Sequence, residues 1–516
     1  MQKSSQEVGS RRSKLGVESI EDLTKQIAKG GGIAFIGSVI AKVATFGLHI
    51  LLGRVLGPGG YGLYALGVSV AGIAQSIASL GLGQGVVRFC AIYRGKGDNA
   101  RVKGTILSAL IISTISSMSV GVILFALSSI IAQRFFHKPE LTWVLRIFAL
   151  AIPFYVLMGI TTSFAQSFRR IEYQQGVQNI FRPLVNLLAV SLAFLLGFRL
   201  AGAVYGFLFS GIVSAGLGFY FLRKIFPEFT SISRRIYQGC ELLRFSIPML
   251  LIGISYFLLT YTDRIMLGYF KKASDIGIYN AASVISSQLT LFLSAFIAIF
   301  SPMVSDLYNR GDLKRLEKLF TVVTRWVLTL TFPLFITLAI FSRDVMLIFG
   351  PEFGIGWKVV ILLGVAQLIN VGTGPVGVIL QMTGKQDIDF ANGIVLLFSN
   401  IGLNIWLIPT YGILGAAIAT AISLILIHTL RLIEVIKILK MFPYDKHCVK
   451  PIIAGAATLF AGMILKINFL TSPHLNLILA GVTSLLIIYF GVLLAIGLDQ
   501  RDKMVLSAIK AKIFVR

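Results

Sequence analysis

Long apolar runs, separated by short polar segments, recur from one end of this sequence to the other. About 20 apolar residues suffice for one transmembrane helix, and fourteen runs here reach that length. Only 13% of the 516 residues are charged, whereas soluble proteins carry about 25%. We therefore expect an all-α, polytopic integral membrane protein. The predicted spans are 31–52, 61–84, 104–132, 142–167, 175–197, 200–222, 243–266, 276–303, 319–341, 355–382, 388–408, 412–436, 449–468 and 474–497.

The basic residues support this topology. The formal net charge is +25, and if the N-terminus is inside, 33 of the 47 Lys and Arg residues fall in inner segments and 10 in outer segments. Such a bias is the positive-inside rule. We expect a multi-pass protein of the plasma membrane with both termini in the cytoplasm. A nucleic-acid partner is rejected, because the basic residues are not gathered in one soluble module.

The first twelve predicted spans divide into two similar sets of six. Three matches lie near one offset, 62–64 with 277–279, 166 with 381, and 200–203 with 413–416. Because six is even, both copies have the same orientation, and parallel repeats of this kind build transporters whose site lies between the halves. The predicted organisation is a basic tail (1–30), an N-lobe (31–222), a basic amphipathic linker along the lipid surface (223–242), a C-lobe (243–436), two further helices (449–497) and a basic tail (498–516).

Besides the basic residues counted above with the inner and outer segments, four lie inside the predicted spans, and the interiors of the first six spans hold no Asp or Glu. Lys42 lies about 15 Å into the first span at 1.5 Å per residue, near mid-membrane. A cation at that depth is costly and indicates function, so we expect Lys42 to line a cavity. The alternative is a structural bond to a backbone carbonyl.

A polar stripe follows one face of the fifth span. Asn179, Arg182 and Asn186 recur at helical spacing beside Pro183. The stripe predicts a substrate-binding surface, and hydrogen bonding between helices is the alternative. An excess of Lys and Arg suits an anionic passenger such as a diphosphate, which accepts charge-assisted hydrogen bonds.

Other candidates have stronger structural alternatives. Arg146 and Arg325 are candidate substrate groups, although both lie close enough to a span end to reach the interface. His49 could bind substrate, but a lone histidine is more often a packing residue. Asp263 and Arg264, at the outer end of the seventh span, most simply form a local ion pair, with gating as the functional reading.

Prolines occur inside several spans, and the segment 370–378 surrounds Pro375 with three glycines. Proline removes a helical hydrogen bond and permits a bend. We predict a broken or kinked tenth span there, with a gating role for Pro375.

Three segments carry a resemblance to a known family. The hairpin RVLGPGGYGLYAL, the stretch TDRIMLGYFKKASDIGIYNAA and the junction PTYGILGAAIAT resemble the polysaccharide-export branch of the multidrug/oligosaccharidyl-lipid/polysaccharide (MOP) exporter superfamily, which contains the Wzx-type flippases. The resemblance implies two six-helix lobes plus two trailing helices. It also implies alternating access, in which a polyprenyl-diphosphate-linked glycan passes from the inner to the outer leaflet through a cavity between the lobes.

We therefore predict a flippase for lipid-linked oligosaccharide that serves polysaccharide biosynthesis. Its expected partners are the glycan lipid, membrane lipids and glycan-assembly enzymes, with no cofactor and no metal. The alternative is a cation-coupled multidrug or metabolite antiporter of the same superfamily, which would need an unpaired carboxylate in a lobe. A membrane enzyme is disfavoured because the outer loops are short, and no GxxxxGK[ST] motif for ATP occurs.

Overall fold

The computed structural model describes residues 20–230, 235–469 and 475–497. Within these ranges the chain is helical and contains no β-strand. Eleven described helices are long and apolar enough to cross a membrane, or twelve if a bent pair is one span. The multi-pass membrane fold is therefore confirmed, whereas the number of fourteen crossings stays a prediction.

The helices follow the predicted apolar runs, and each of the fourteen runs overlaps a helix. The N-terminal half contains α1 (Ile20–Ala78), α2 (Leu82–Gly95), α3 (Asn99–Ile130), α4 (Leu141–Ser167), α5 (Ile171–Gln175), α6 (Arg182–Leu195) and α7 (Leu200–Ile225). The C-terminal half contains α8 (Gly239–Phe270), α9 (Ala273–Ser287), α10 (Leu291–Asn309), α11 (Leu313–Ile340), α12 (Ser342–Leu347), α13 (Trp357–Gly372), α14 (Val376–Met382), α15 (Gln386–Tyr411), α16 (Ile413–Leu439), α17 (Val449–Phe469) and α18 (Leu475–Ile496).

Helix α1 covers the first predicted span and most of the second. Gly57 interrupts it with φ 66° and ψ 177°, a backbone conformation outside the helical region. Glycine adopts positive φ without steric cost, and Pro58 follows immediately. The predicted outer hairpin is therefore a sharp kink between two helical segments rather than a loop.

The largest group of buried side chains joins the two halves, and smaller groups lie mostly within one half. The shared core packs Tyr61 and Phe148 of the first half with Ile278 and Phe353 of the second. Near the opposite ends of the spans, residues around Phe164 form a smaller core that includes Leu242 of α8, and α10, α11 and α16 form another. By the predicted topology the shared core is the outer one, so the hydrophobic effect joins the halves most extensively on that side.

The tenth predicted span is broken where Pro375 predicts it. Helix α13 ends at Gly372 and α14 begins at Val376. Between them Gly374 has φ +73°, and a Cβ at this position would also lie 3.0 Å from the Phe320 ring. A left-handed residue followed by proline cannot continue an α-helix, so the prediction of a broken helix is confirmed.

The linker between the halves makes contacts that the sequence did not indicate. Its described part contains a 3₁₀ turn, Pro227–Thr230, and a stretch without regular secondary structure, 235–238, that leads into α8. The Ile236 amide donates to the Ala100 carbonyl at 3.2 Å, and the Tyr93 hydroxyl donates to Gln238 at 2.5 Å. These bonds fasten the linker to the ends of α2 and α3. Contact between the linker and the lipid surface stays a prediction.

Candidate functional site

A polar cavity of about 470 Å³ lies between the two halves. One wall comes from α1 and from the segment that enters α6, and the other comes from the junction of α9 and α10. Four of the predicted substrate groups meet in this central cavity. Its polar lining consists of Lys42, Thr45, His49, Gln178, Asn179, Arg182, Ser287, Gln288, Thr290 and Ser294.

The polar groups of the lining come from α1, from the turn before α6 and from the junction of α9 and α10. Irregular backbone positions the second and third of these sets. Gly176–Phe181 is a π-helical turn that carries Gln178 and Asn179. Pro183 follows in the next turn and has no N–H to donate to the carbonyl four residues earlier, which favours a wider turn. On the other wall, a 3₁₀ turn, Gln288–Thr290, separates α9 from α10. These interruptions place amides and hydroxyls toward the space between the halves.

The lining of the central cavity is cationic. Lys42 and Arg182 both contribute to it, whereas no Asp or Glu is among its described lining residues. Neither basic group makes an ion pair within the described ranges. The Arg182 guanidinium lies 5.9 Å from the centre of the Tyr155 ring, a cation–π contact that holds it in place without neutralising it. Such a surface can bind a phosphorylated ligand by charge-assisted hydrogen bonds.

A chain of side-chain hydrogen bonds runs from this cavity across the interface between the halves. The Tyr61 hydroxyl lies 2.8 Å from His49 Nδ1. The Asn280 amide donates to the same hydroxyl at 2.7 Å, and Arg264 donates to the Asn280 side-chain oxygen at 2.6 Å. His49 therefore lines the cavity and is also connected to Arg264 in the other half.

Two glycines bring the halves into backbone contact beyond this chain of bonds. A Cβ on Gly62 would overlap the Ala273 carbonyl oxygen, and it would lie 2.9 Å from the Gly277 nitrogen. A Cβ on Gly277 would likewise overlap the Pro58 carbonyl. Gly62 and Gly277 are residues that the predicted internal repeat matches at an offset of 215. We call this pair the outer contact.

Two basic side chains also join the halves on the side of the outer contact. Arg54 Nε donates to the Ile348 carbonyl at 2.7 Å, and Lys138 Nζ donates to the Gly268 carbonyl at 2.5 Å. Burial lowers the pKa of Lys138, and the nearby Asp275 carboxylate partly opposes this effect. Both bonds join one half of the chain to the other.

The structure corrects the prediction for Asp263. Its carboxylate does not pair with Arg264, because consecutive helical residues point about 100° apart. Instead it accepts hydrogen bonds from Tyr279 at 2.7 Å, Thr420 at 2.6 Å and Asn404 at 2.9 Å. Asp263 makes no ion pair with any described residue. The C-lobe therefore holds a carboxylate without a paired cation among the described residues, the feature that the antiporter alternative needs.

Comparisons with known proteins agree with this architecture. The family described as polysaccharide biosynthesis protein matches residues 27–308. The chain belongs to this family. The resemblance stated from the sequence motifs is thereby confirmed.

Individual relatives are more distant. The probable flippase AglR of Haloferax volcanii is 24% identical over 410 residues, which are 78% of this chain and 82% of AglR. The lipid II flippase MurJ in an inward closed conformation superposes with a TM-score of 0.71 at 16% identity, covering 89% of this chain and 97% of MurJ. An inward-facing multidrug resistance MATE transporter of the MOP superfamily superposes with a TM-score of 0.62 at 16% identity, covering 78% and 95%. These two structures show the fold alone.

Besides Asp263 and Arg264, four further predicted site residues lie outside the central cavity. Arg146 Nε donates to Ser128 at 3.2 Å on an exposed face of α4. Arg325 is 4% exposed and forms an ion pair with Asp445 at 3.2 Å. The Asn186 side-chain oxygen is buried and does not line the cavity. Pro375 lines a separate pocket of about 200 Å³. Arg146 and Arg325 were chosen as candidates from their depth in the membrane alone, and depth does not specify which face of a helix a side chain occupies.

The sequence analysis missed part of the cavity lining. Gln178 lies four residues before Arg182 and therefore on a shared helical face, but it was not included in the predicted stripe; it lines the cavity and donates to Thr162 at 2.6 Å. The segment from Ser287 to Ser294 forms the opposite wall. Four polar residues within this apolar stretch were the available signal.

Proposed function

We propose that this chain is a flippase that moves a glycan joined to a polyprenyl diphosphate from the inner to the outer leaflet for polysaccharide biosynthesis. The observation that carries the proposal is the central cavity, where Lys42 and Arg182 meet amides and hydroxyls and no described carboxylate. A diphosphate supplies the negative charge that this lining lacks. Membership of the polysaccharide biosynthesis family and the similarity to AglR, a probable flippase, support this proposal.

The mechanism that we propose is alternating access. The core that joins the halves is extensive on one side, whereas on the other side the C-terminal half contributes the start of α8 to the smaller core around Phe164, so the interface can open at one end while the other end stays packed. Equivalent bonds also support the internal repeat. Gln174 donates to Gln166 at 3.1 Å, and Gln381 donates to Asp389 at 2.8 Å. Each bond spans eight residues, and the second lies 215 residues after the first.

In this mechanism the diphosphate binds Lys42 and Arg182 while sugars contact the amides and hydroxyls around them. The membrane potential favours outward movement of negative charge by about 2.3 kcal/mol per charge per 100 mV. No chemical step on the glycan is required, so the proposal is a transporter rather than an enzyme. The orientation with both termini in the cytoplasm of the plasma membrane, and contact with glycan-assembly enzymes, belong to this proposal.

The test uses the full-length protein in proteoliposomes. A polyprenyl diphosphate that carries a fluorescent sugar is incorporated, and an impermeant quencher measures its movement between leaflets. Lys42→Ala and Arg182→Ala should each lower the initial rate by about 10- to 100-fold, because a hydrogen bond to a charged group contributes about 1.5–3 kcal/mol. Lys42→Arg should retain most of the rate.

Arg146→Ala is the matched control, because it removes a membrane-embedded cation that lies outside the cavity. It should change the rate by less than about twofold. Undiminished movement in the Lys42 and Arg182 variants, or an equal loss in the Arg146 variant, would contradict the proposed site.

A cation-coupled antiporter is the second candidate function, and the Asp263 cluster favours it. The Asp263 carboxylate is held by hydroxyls and an amide and has no paired cation among the described residues, which is the kind of group that a cation-coupled antiporter needs. If coupling occurs there, Asp263→Asn should abolish the dependence of transport on a proton or Na⁺ gradient. The passenger separates the two functions, since an antiporter exports a cationic drug or metabolite whereas the flippase moves the anionic lipid.

A further inference from the structure

A second basic pocket lies far along the chain from the central cavity. It has a volume of about 310 Å³ and is bounded by α11, α17 and α18. None of these three helices lines the central cavity. A ligand in this second pocket would therefore lie off the proposed transport path.

The lining of this pocket is divided by polarity. Arg325, His447 and Lys450 supply its basic groups, and Trp326, Phe490 and Leu494 contribute to its apolar wall. The two kinds of surface match the two parts of a phospholipid, a phosphate and an acyl chain. Basic pockets between transmembrane helices on the cytoplasmic side bind anionic lipid head groups.

The net positive charge comes chiefly from Lys450. Asp445 pairs with Arg325 at 3.2 Å and also accepts the His447 backbone N–H at 3.0 Å, so it neutralises the guanidinium. Lys450 Nζ donates to the Gly497 carbonyl at 2.5 Å. An ammonium group has three donors, and this bond uses one of them while fixing Lys450 at the pocket.

The position along the helices agrees with a head group at the membrane surface. Lys450 is the second residue of α17, and Gly497 directly follows α18. Lys450 lies in the predicted inner segment 431–450, and Gly497 ends the last predicted span, next to the predicted cytoplasmic tail 498–516. The apolar wall continues from there along α11 and α18 into the depth of the membrane.

We propose that this pocket binds an anionic phospholipid of the cytoplasmic leaflet, with its phosphate at Lys450 and His447 and one acyl chain against Trp326 and Phe490. The lipid fills the cleft between the last two helices and α11. It is a resident lipid rather than the transported glycan lipid.

The fluorescence of Trp326 can report which lipid occupies the pocket. The chain has four tryptophans, and replacing Trp143, Trp357 and Trp406 with Phe leaves only the one in the pocket. The full-length protein is reconstituted in bilayers that contain a small fraction of brominated phosphatidylglycerol or brominated phosphatidylcholine. Bromine quenches nearby tryptophan, so the fluorescence reports which lipid occupies the pocket.

The expected result is saturable quenching by the anionic lipid at a lower mole fraction than by the zwitterionic one. Lys450→Gln should weaken this preference by about fivefold, the effect of one basic residue near the surface, while Lys450→Arg should retain it. Lys440→Gln is the control, since this exposed lysine lies in the same predicted inner segment and does not line the pocket.

Equal quenching by the two lipids, or an unchanged preference in Lys450→Gln, would overturn the proposal. Addition of unbrominated undecaprenyl diphosphate tests whether the pocket prefers the lipid carrier of the glycan to a phospholipid. If it displaces brominated phosphatidylglycerol at a lower mole fraction than unbrominated phosphatidylglycerol does, the pocket belongs to the glycan lipid and a resident phospholipid is excluded. These outcomes do not depend on the transport assay, so the flippase proposal can fail or succeed separately.

Discussion

The outer contact provides the sharpest test of motion between the two halves. In Gly62→Ala the new methyl group would overlap the Ala273 carbonyl oxygen and lie 2.9 Å from the Gly277 nitrogen. The obstacle is backbone on the opposite helix, so a change of side-chain rotamer cannot relieve it. Overpacking of this kind costs about 1–3 kcal/mol. The cost applies only while the outer contact is closed.

If the halves separate on this side during transport, the substitution shifts the population toward the open state. A cost of about 1–3 kcal/mol corresponds to about a 5- to 150-fold change in the ratio of open to closed molecules. Gly277→Ala should have the same direction of effect, because its methyl group would meet the Pro58 carbonyl.

The assay is labelling of a cavity cysteine from outside. Ser287→Cys is introduced after the three native cysteines have been replaced, and an impermeant maleimide is added to intact cells. Gly62→Ala should accelerate labelling, up to about 5- to 150-fold. Gly59→Ala is the matched control in the same turn, since its methyl group would meet nothing within 4 Å. A permeant maleimide verifies that each variant is folded and equally abundant.

Equal rates in the Gly62 and Gly59 variants would refute the reasoning, as would slower labelling in Gly62→Ala. The first result would mean that the outer contact does not limit access to the central cavity. The second would mean that the methyl group stabilises the closed arrangement.

Three further predictions concern stability and energetics. Asp389→Asn should lower the free energy of unfolding by about 3–5 kcal/mol, because Arg431 loses its largely buried ion-pair partner at 2.7 Å. Asp306→Asn breaks an exposed ion pair and should cost less than about 1 kcal/mol. Equal losses in thermal or denaturant unfolding would contradict this prediction. Gly374→Ala should lower stability more than Gly384→Ala, since both have positive φ but only the first would strike a neighbouring helix; equal melting temperatures would contradict the close approach. If one net negative charge crosses per cycle, 100 mV should change the steady-state lipid ratio between leaflets by about 50-fold, and a ratio independent of voltage would mean electroneutral transport.

The sequence predicted most of the features that depend on local pattern. Apolar length located the helices, and proline with three glycines located the break before Val376. The meeting of Lys42 with Arg182 followed from depth together with a repeat whose interface lies between its copies. Each of these inferences needs only the chain direction and the thickness of a bilayer.

The features that the sequence did not predict depend on contacts between distant segments. Asp263 finds its partners 16, 141 and 157 residues away, and Arg325 pairs with a residue 120 positions later. The face that a charged side chain presents is set by tertiary packing, which membrane depth does not reveal. Charge sign and position therefore identified candidates, and only the structure showed which of them share a cavity.

The core shared by the two halves has a consequence for the membrane in which the protein resides. Tyr61, Tyr279 and Phe353 are almost fully buried in it, so parting the halves there would wet apolar surface at about 25 cal/mol per Å². Without bound substrate, the protein forms no interaction that compensates for this free-energy cost. We therefore expect the transporter without substrate to stay closed on the outer side. Ions then do not leak through it, and the membrane keeps its ion gradients.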